Sequence, residues 1–383
     1  MTCKLCFLVV LASVTSLAND KPLELNTVLM QATVRLDGMT ADGPKVGTGF
    51  IMGRPIPNSA RARYVLITAN HVLDDIKSHV VMLTTRKLGA TAGWEKVQVT
   101  VPIRSMLSTF FVRDAVKTPV LKGSNLAMIF GATRYDLKPI SDSLVSIRDS
   151  IRSLNLGLEA DIVQDNRGFQ LQLFLPNPNT GVPIQLIRLG KTGPPETLLS
   201  EKQLWNRHPQ ADVAAMYIRL PNGTFDGILL PTTTFLAQDK DLQEYGMHPG
   251  DELNCLGYPL GAESNDSGFP ILRSGKIASF PLLPTKQTVV FLMDFQIFGG
   301  NSGGPVYVSQ SGGTRLIDGN TRLGVNFQTI VGLVSQEVLL KEQQRSLYER
   351  SERDYPLKLA RVVHASFIRE TLETLPPPTE GNL

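Results

Sequence analysis

A serine in a glycine-dense turn, a histidine at the end of an apolar run and an aspartate at the head of another are the residues of this chain best placed to do chemistry together. The turn reads Gly299-Gly300-Asn301-Ser302-Gly303-Gly304-Pro305. A serine hydroxyl is a weak nucleophile until a base takes its proton. It also needs donors aimed at the oxyanion that develops on attack. Glycines beside the serine let the backbone turn sharply and direct the amides of Gly300 and Ser302 toward one point. The base is supplied by His71, at the end of Tyr64-Val65-Leu66-Ile67-Thr68-Ala69-Asn70, where loops present reactive groups. Asp212, directly before Val213-Ala214-Ala215-Met216, can orient the imidazole and favour its charged form.

Other combinations of residues remain open at this point. Gly300-Asn301-Ser302-Gly303-Gly304 also fits the G-x-S-x-G turn of α/β-hydrolases, and Asp318 and His364 follow in the required order. That fold needs strand-turn-helix at the serine, whereas Pro305 and short β runs follow here; it predicts dependence on His364 and none on His71. A binding or scaffolding protein that has lost activity is a third possibility, argued against by the presence of all three residues. His71, Asp75 and His79 would share a face for zinc if a helix ran that far. His208 and His248 have no partner pattern and read as surface residues. No phosphate or calcium loop is present in the sequence.

The elements that must position these groups are short and apolar. Val28–Leu36, 47–53 and 64–68 read as strands, the last leading into a short helix at 69–73. Val97–Val101 is a weaker strand signal. Leu144, Ile147, Ile151 and Leu154 recur at helical spacing within 140–155, with Ser141 or Asp142 as a candidate N-cap. Residues 169–175 and 182–189 read as the two arms of a hairpin. Strands follow at 213–218, 251–258, 271–280, 288–295, 304–308 and 329–335. Pro356–Leu375 reads as a helix carrying Val362, Val363, Phe367, Leu372 and Leu375 on one face, ended by Pro376-Pro377-Pro378.

Thr68-Ala69-Asn70-His71, Asp212-Val213-Ala214-Ala215-Met216 and Gly300-Asn301-Ser302-Gly303-Gly304-Pro305 together resemble the three signature blocks of trypsin-like (chymotrypsin-superfamily) serine proteases. The likeness is to bacterial members such as the protease domain of the high-temperature-requirement group, over roughly residues 25–340. The resemblance implies a mostly β fold of two six-stranded antiparallel β-barrels with the active site between them. It implies a serine endopeptidase with His71 as base, Asp212 as its orienting carboxylate, Ser302 as nucleophile and the amides of Gly300 and Ser302 as oxyanion hole. Asp294, upstream of the serine as in that group, is structural. Gln296 stands six residues before the serine, at the base of the pocket for the residue preceding the scissile bond, and argues against a basic side chain there; a neutral or small apolar one is expected. Gly332, Leu333, Val334 and Ser335 are expected to line that pocket and pair with extended substrate. No metal or other cofactor is implied, and the partner is a protein or peptide substrate.

Two departures qualify the likeness. His71 and Asp212 lie 141 positions apart, far more than the family needs, so an α-containing insertion is expected at about 88–180 in the first barrel. Asn301 stands where many activated zymogens carry an Asp for their new N-terminus, so activation by that ion pair is not expected. The expected division is a signal peptide at 1–18, an N-terminal barrel over 19–230 with the insertion, a C-terminal barrel over 231–345 and a helix at 356–375, with too little chain left for a PDZ module.

The composition is compatible with this. The 383 residues are 42% hydrophobic and 19% charged, ordinary for a soluble globular chain. A net charge of +3 is too small to argue for nucleic acid. The 32 glycines and 25 prolines favour many strands joined by turns. Lys4, the run Leu5–Ala12 and Ser16-Leu17-Ala18 have the form of a cleaved signal peptide, which predicts a secreted or periplasmic protein starting near Asn19 with no membrane span in the mature chain. Cys255 is then the one remaining cysteine, so no internal disulfide forms.

Overall fold

The computed structural model describes residues 24–378 except 41, 60, 77–79, 90–92, 104–105, 109–113, 118–124, 140, 142, 166–167, 175–183, 190–195, 201–204, 318 and 346–349. The expected signal peptide lies outside the described residues. Among those described, no helix is long and apolar enough to cross a membrane.

The chain enters through α1 (Leu25–Ala32), capped by Glu24, whose carboxylate accepts the amides of Asn26 and Thr27. Strand pairing, expected from Val28, begins only at Thr33. The reason is spacing: Leu25, Val28, Leu29 and Ala32 fall at i, i+3, i+4 and i+7 and all are buried, which a helix achieves and a strand does not. Then come β1 (Thr33–Thr40), β2 (Gly43–Pro55), β3 (Ala62–Thr68), α2 (Asn70–Asp75), β4 (Val80–Leu88) and β5 (Trp94–Pro102). With β13 (Asn206–Arg207) and β14 (Ala214–Tyr217), these strands make a seven-stranded antiparallel sheet in the order β13-β14-β3-β2-β1-β4-β5. It stands where a closed six-stranded barrel was expected.

Between β5 and β13 the chain forms a satellite with its own apolar core. It holds β6 (Met106–Ser108), β7 (Asn125–Phe130), β8 (Thr133–Leu137), α3 (Leu144–Ser153), β9 (Glu159–Asp165), β10 (Gly168–Phe174), β11 (Ile184–Leu189) and β12 (Glu196–Ser200). Leu144, Ile147 and Ile151 of α3 bury against Leu126, Met128, Leu171 and Leu186. Ser143 caps α3 through the amide of Ser146, one residue beyond the expected caps. The expected hairpin of 169–175 with 182–189 does not form. β10 pairs with β9 and β6, whereas β11 pairs with β7 and β12, so the two runs belong to different sheets.

The C-terminal half is a closed antiparallel barrel in the order β15-β16-β17-β20-β19-β18. Its strands are β15 (Glu252–Gly257), β16 (Ile271–Ile277), β17 (Val290–Asp294), β18 (Pro305–Ile317), β19 (Asn320–Arg345) and β20 (Arg350–His364), preceded by α4 (Asp239–Tyr245) and followed by α5 (Ala365–Glu373). The helix expected from Pro356 therefore starts at Ala365. Val362 and Val363 are β-branched and pair with both β17 and β19, and tertiary pairing overrides the helical spacing of the apolar residues. Cys255 is a buried free thiol whose pKa burial pushes up to about 12.

A buried arginine ties α1, β1 and β4 to the barrel. The Arg86 guanidinium is fully buried, donates to the carbonyls of Met30 (3.0 Å) and Thr33 and to the Tyr258 hydroxyl (3.3 Å), and lies 4.7 Å from the Phe269 ring. Arg86→Met removes the side-chain donor to the Met30 carbonyl and one of two side-chain donors to the Thr33 carbonyl, which keeps the Tyr258 hydroxyl (3.2 Å), and should lower unfolding free energy by about 2 kcal/mol. A urea-denaturation midpoint equal to that of the wild type would contradict this placement.

Candidate active site

The nucleophile loop between β17 and β18 is held from three sides. Thr48 of β2 donates its amide to the Ser302 carbonyl (2.9 Å) and its hydroxyl to the Gly300 carbonyl (2.5 Å). The amide of Leu260 bonds the Gly299 carbonyl (2.6 Å), and the amide of Gly303 bonds the Val334 carbonyl of β19 (2.7 Å). Two glycines are required by this packing. Gly300 has φ +102° and a Cβ there would lie 2.1 Å from the Tyr258 carbonyl oxygen; Gly303 has φ +85° and a Cβ 2.1 Å from that of Thr48. The amides of Gly300 and Ser302 have no acceptor among the described residues.

His71 is brought in by α2 and Asp212 by the turn before β14. The two strands leading to them, β3 and β14, are neighbours, with Thr68 opposite Ala214. The His71 amide donates to Asp212 Oδ1 (3.0 Å), and His71 Nδ1 lies 2.7 Å from Asp212 Oδ2. Burial pushes the Asp212 carboxyl up, but the hydrogen bond and charge of His71, the Ser335 hydroxyl and the His71 amide overcome it and hold the pKa below the usual value. An ionised Asp212 accepts the proton on Nδ1, which fixes the ring orientation and leaves Nε2 as its other nitrogen.

Ser335 joins the two halves of the site. Its hydroxyl donates to Asp212 Oδ2 (2.5 Å), and its carbonyl accepts the Ser302 hydroxyl (2.9 Å). No hydrogen bond joins Ser302 to His71 among the described residues; the Ser302 hydroxyl is held by the Ser335 carbonyl instead.

The expected substrate-binding residues are placed less uniformly. Gly332 and Leu333 pair with β18 on one side and β20 on the other, and Leu333 and Val334 are core residues. Register pairing with β18 ends at Leu333; Val334 still bonds the backbone of Gly303 and Gly304, and Ser335 is buried with its carbonyl bonded to the Ser302 hydroxyl. Gln296 is exposed; its carbonyl accepts Arg273, whose guanidinium lies 5.3 Å from the rings of both Phe295 and Phe298 and braces the segment leading to the loop.

The alternative base has no such setting. Neither ring nitrogen of His364 has a hydrogen-bond partner among the described residues, and the ring packs on Phe291 at 4.8 Å. Asp318 and His79 lie outside the described residues, and α2 ends at Asp75, whose carboxylate pairs with Lys45. His208, read as a surface residue, has a side chain only 7% exposed.

Among solved structures, the chain is similar to the protease Anisep from Arthrobacter nicotinovorans (12% identity, 91% of this chain and 96% of the other, TM-score 0.34). It is also similar to a thermostable serine protease, AL20, from an extremophilic microorganism (10%, 89% and 95%, TM-score 0.32). A third likeness is to the D2–D3 domains of the flagellar cap protein FliD from Escherichia coli (14%, 50% and 95%, TM-score 0.20). No family model and no curated protein matches the sequence.

Burial holds the His364 pKa down, from 6.5 to about 4. The unfolded chain therefore binds this proton first as pH falls, so stability is whole above pH 6.5 and is lost progressively toward pH 4. The loss amounts to about 3 kcal/mol. His364→Leu should abolish this part of the acid sensitivity, read as unfolding free energy in urea between pH 7 and 4; an unchanged pH dependence would contradict it.

Proposed function

We propose that the chain is a serine endopeptidase that cleaves peptide bonds through an acyl-enzyme, with His71, Asp212 and Ser302 as its triad. The observation that carries this is that His71 bonds Asp212 and that Ser335 bonds both Asp212, by its hydroxyl, and Ser302, by its carbonyl, beside two amides with no acceptor among the described residues. In the first half-reaction the Ser302 Oγ attacks the scissile carbonyl and its proton passes to His71 Nε2. The Gly300 and Ser302 amides bond the oxyanion, and Asp212 stabilises the imidazolium. The C–N bond then breaks as His71 returns the proton to the leaving amine. In the second half-reaction water, deprotonated by His71, attacks the ester carbon. The acid product leaves and the proton returns to Ser302.

An extended substrate is taken to line up along Gly332 to Ser335 of β19, next to Ser302. An uncharged Gln296 supports a neutral or small apolar side chain, not a basic one, before the scissile bond. The N-terminal apolar run of the sequence supports export to the periplasm or the exterior.

Hydrolysis of a quenched-fluorescent peptide library tests the assignment. Ser302→Ala, His71→Ala and Asp212→Asn should each lower kcat/KM by about 10⁴-fold or more, and the double variant of Ser302 and His71 should be no worse than either single one. His364→Leu should remain active. Activity that survives His71→Ala but not His364→Leu would move the chain to the α/β-hydrolase chemistry.

A further inference from the structure

The turn that presents Asp212 is organised by a histidine. Nδ1 of His208 accepts the amides of Ala211 (2.9 Å) and Gln210 (3.2 Å), and the His208 amide donates to the Val213 carbonyl (2.9 Å). One residue thus holds the backbone on both sides of Asp212, its ring bonding the two amides before it and its own amide the carbonyl after it. The next link runs to the far end of the chain. With Nδ1 accepting two N–H groups, the ring proton sits on Nε2, which faces Glu370 Oε2 of α5 at 3.2 Å. The ring also meets Phe367 of α5 edge-on, with centroids 5.1 Å apart. A second tie, from the Asn206 side chain to the Thr371 carbonyl (2.6 Å), docks the same helix beside β13. Glu370 is the charged group facing the ring; Arg207, the next residue in sequence, turns away to Asp74.

We propose that His208 is a positioning residue for Asp212, and that α5 reaches the hydrolytic site through it. The inference rests on the endopeptidase assignment. His208 touches neither His71 nor Ser302 by hydrogen bond; it acts by holding the carboxylate where both of its oxygens meet His71. Replacing the imidazole removes the acceptor for two amides, and the turn rebuilds with the Asp212 carboxylate displaced. A displacement of about 1 Å at a catalytic group is enough to cost on the order of 10²-fold in rate. Asparagine can restore the acceptor, because its side-chain oxygen bonds amides two or three residues on in turns of this kind.

The experiment compares kcat and KM on one quenched-fluorescent peptide chosen from the wild-type library. His208→Leu should lower kcat about 10²-fold with KM nearly unchanged, and His208→Asn should recover most of the loss. In an Asp212→Ala background, His208→Leu should cost nothing further, since it acts through the group already removed. A defect that adds fully to that of Asp212→Ala, or a kcat equal to that of the wild type, would overturn the proposal. Should His208→Leu not fold, Glu370→Leu changes a residue at the surface and is expected to give a smaller kcat loss, again absent when Asp212 is alanine; an additive loss overturns the proposal equally. A wild-type chain with no Ser302-dependent hydrolysis would remove the endopeptidase assignment and this inference with it, whereas hydrolysis that needs Ser302 but ignores His208 removes the inference alone.

Discussion

Thr48 is the contact on which the site depends. One residue of β2 donates from its amide and from its hydroxyl to two carbonyls of the nucleophile loop, and its own carbonyl accepts the Thr68 hydroxyl at the end of the strand that leads to His71. Thr48 is fully buried, so these bonds are made away from water, where an unpaired partner costs most. The same clasp forces the loop close to β2 and to the Tyr258 turn. Side chains at Gly300 or Gly303 would collide with backbone oxygen at 2.1 Å, so the glycines around Ser302 are consequences of how the sheet meets the barrel. Ser302 and His71 are thus both placed through Thr48, Ser302 across the two halves of the chain and His71 within the first sheet.

The satellite illustrates how little that contact asks of the rest of the sheet. β5 and β13 lie at the two ends of the seven-stranded sheet, so the long segment joining them leaves and re-enters at its edges and does not interrupt the strands that carry His71 and Asp212. Its apolar residues pack on one another around α3 and form a core separate from the main one. Loop-closure cost grows slowly with length, so an insertion that buries its own apolar surface is tolerated at such an edge.

His71, Asp212 and Ser302 could be singled out in the sequence because the chemistry proposed for them needs particular residue types beside glycine turns and strand ends, and each of those features is local. Gly332 to Ser335 is one apolar run by pattern, and the point at which its pairing with β18 ends, Leu333, is visible only in the fold. The helical spacing of Leu25, Val28, Leu29 and Ala32 was present in the sequence and was outweighed by β-branched residues nearby; Val362 and Val363 failed in the opposite sense, because pairing on both sides decided a run whose apolar residues also fit a helix. The hairpin at 169–189 looked sound locally, but sheet partnership is set by residues such as Met128, far from both arms. His208 gave no signal at all. Its significance comes from Glu370 and Phe367, which no spacing along the sequence connects to it.

The most direct measurement is covalent. The purified chain is treated with a fluorophosphonate, which reacts only with a serine whose proton can be taken and whose oxyanion is stabilised, and the adduct is located by peptide mass spectrometry. Labelling at Ser302 in the wild type, and its loss in His71→Ala with the fold intact, is the predicted result. A folded wild-type chain that stays unlabelled, or one that labels equally without His71, would contradict the assembly of these residues into one hydrolytic site.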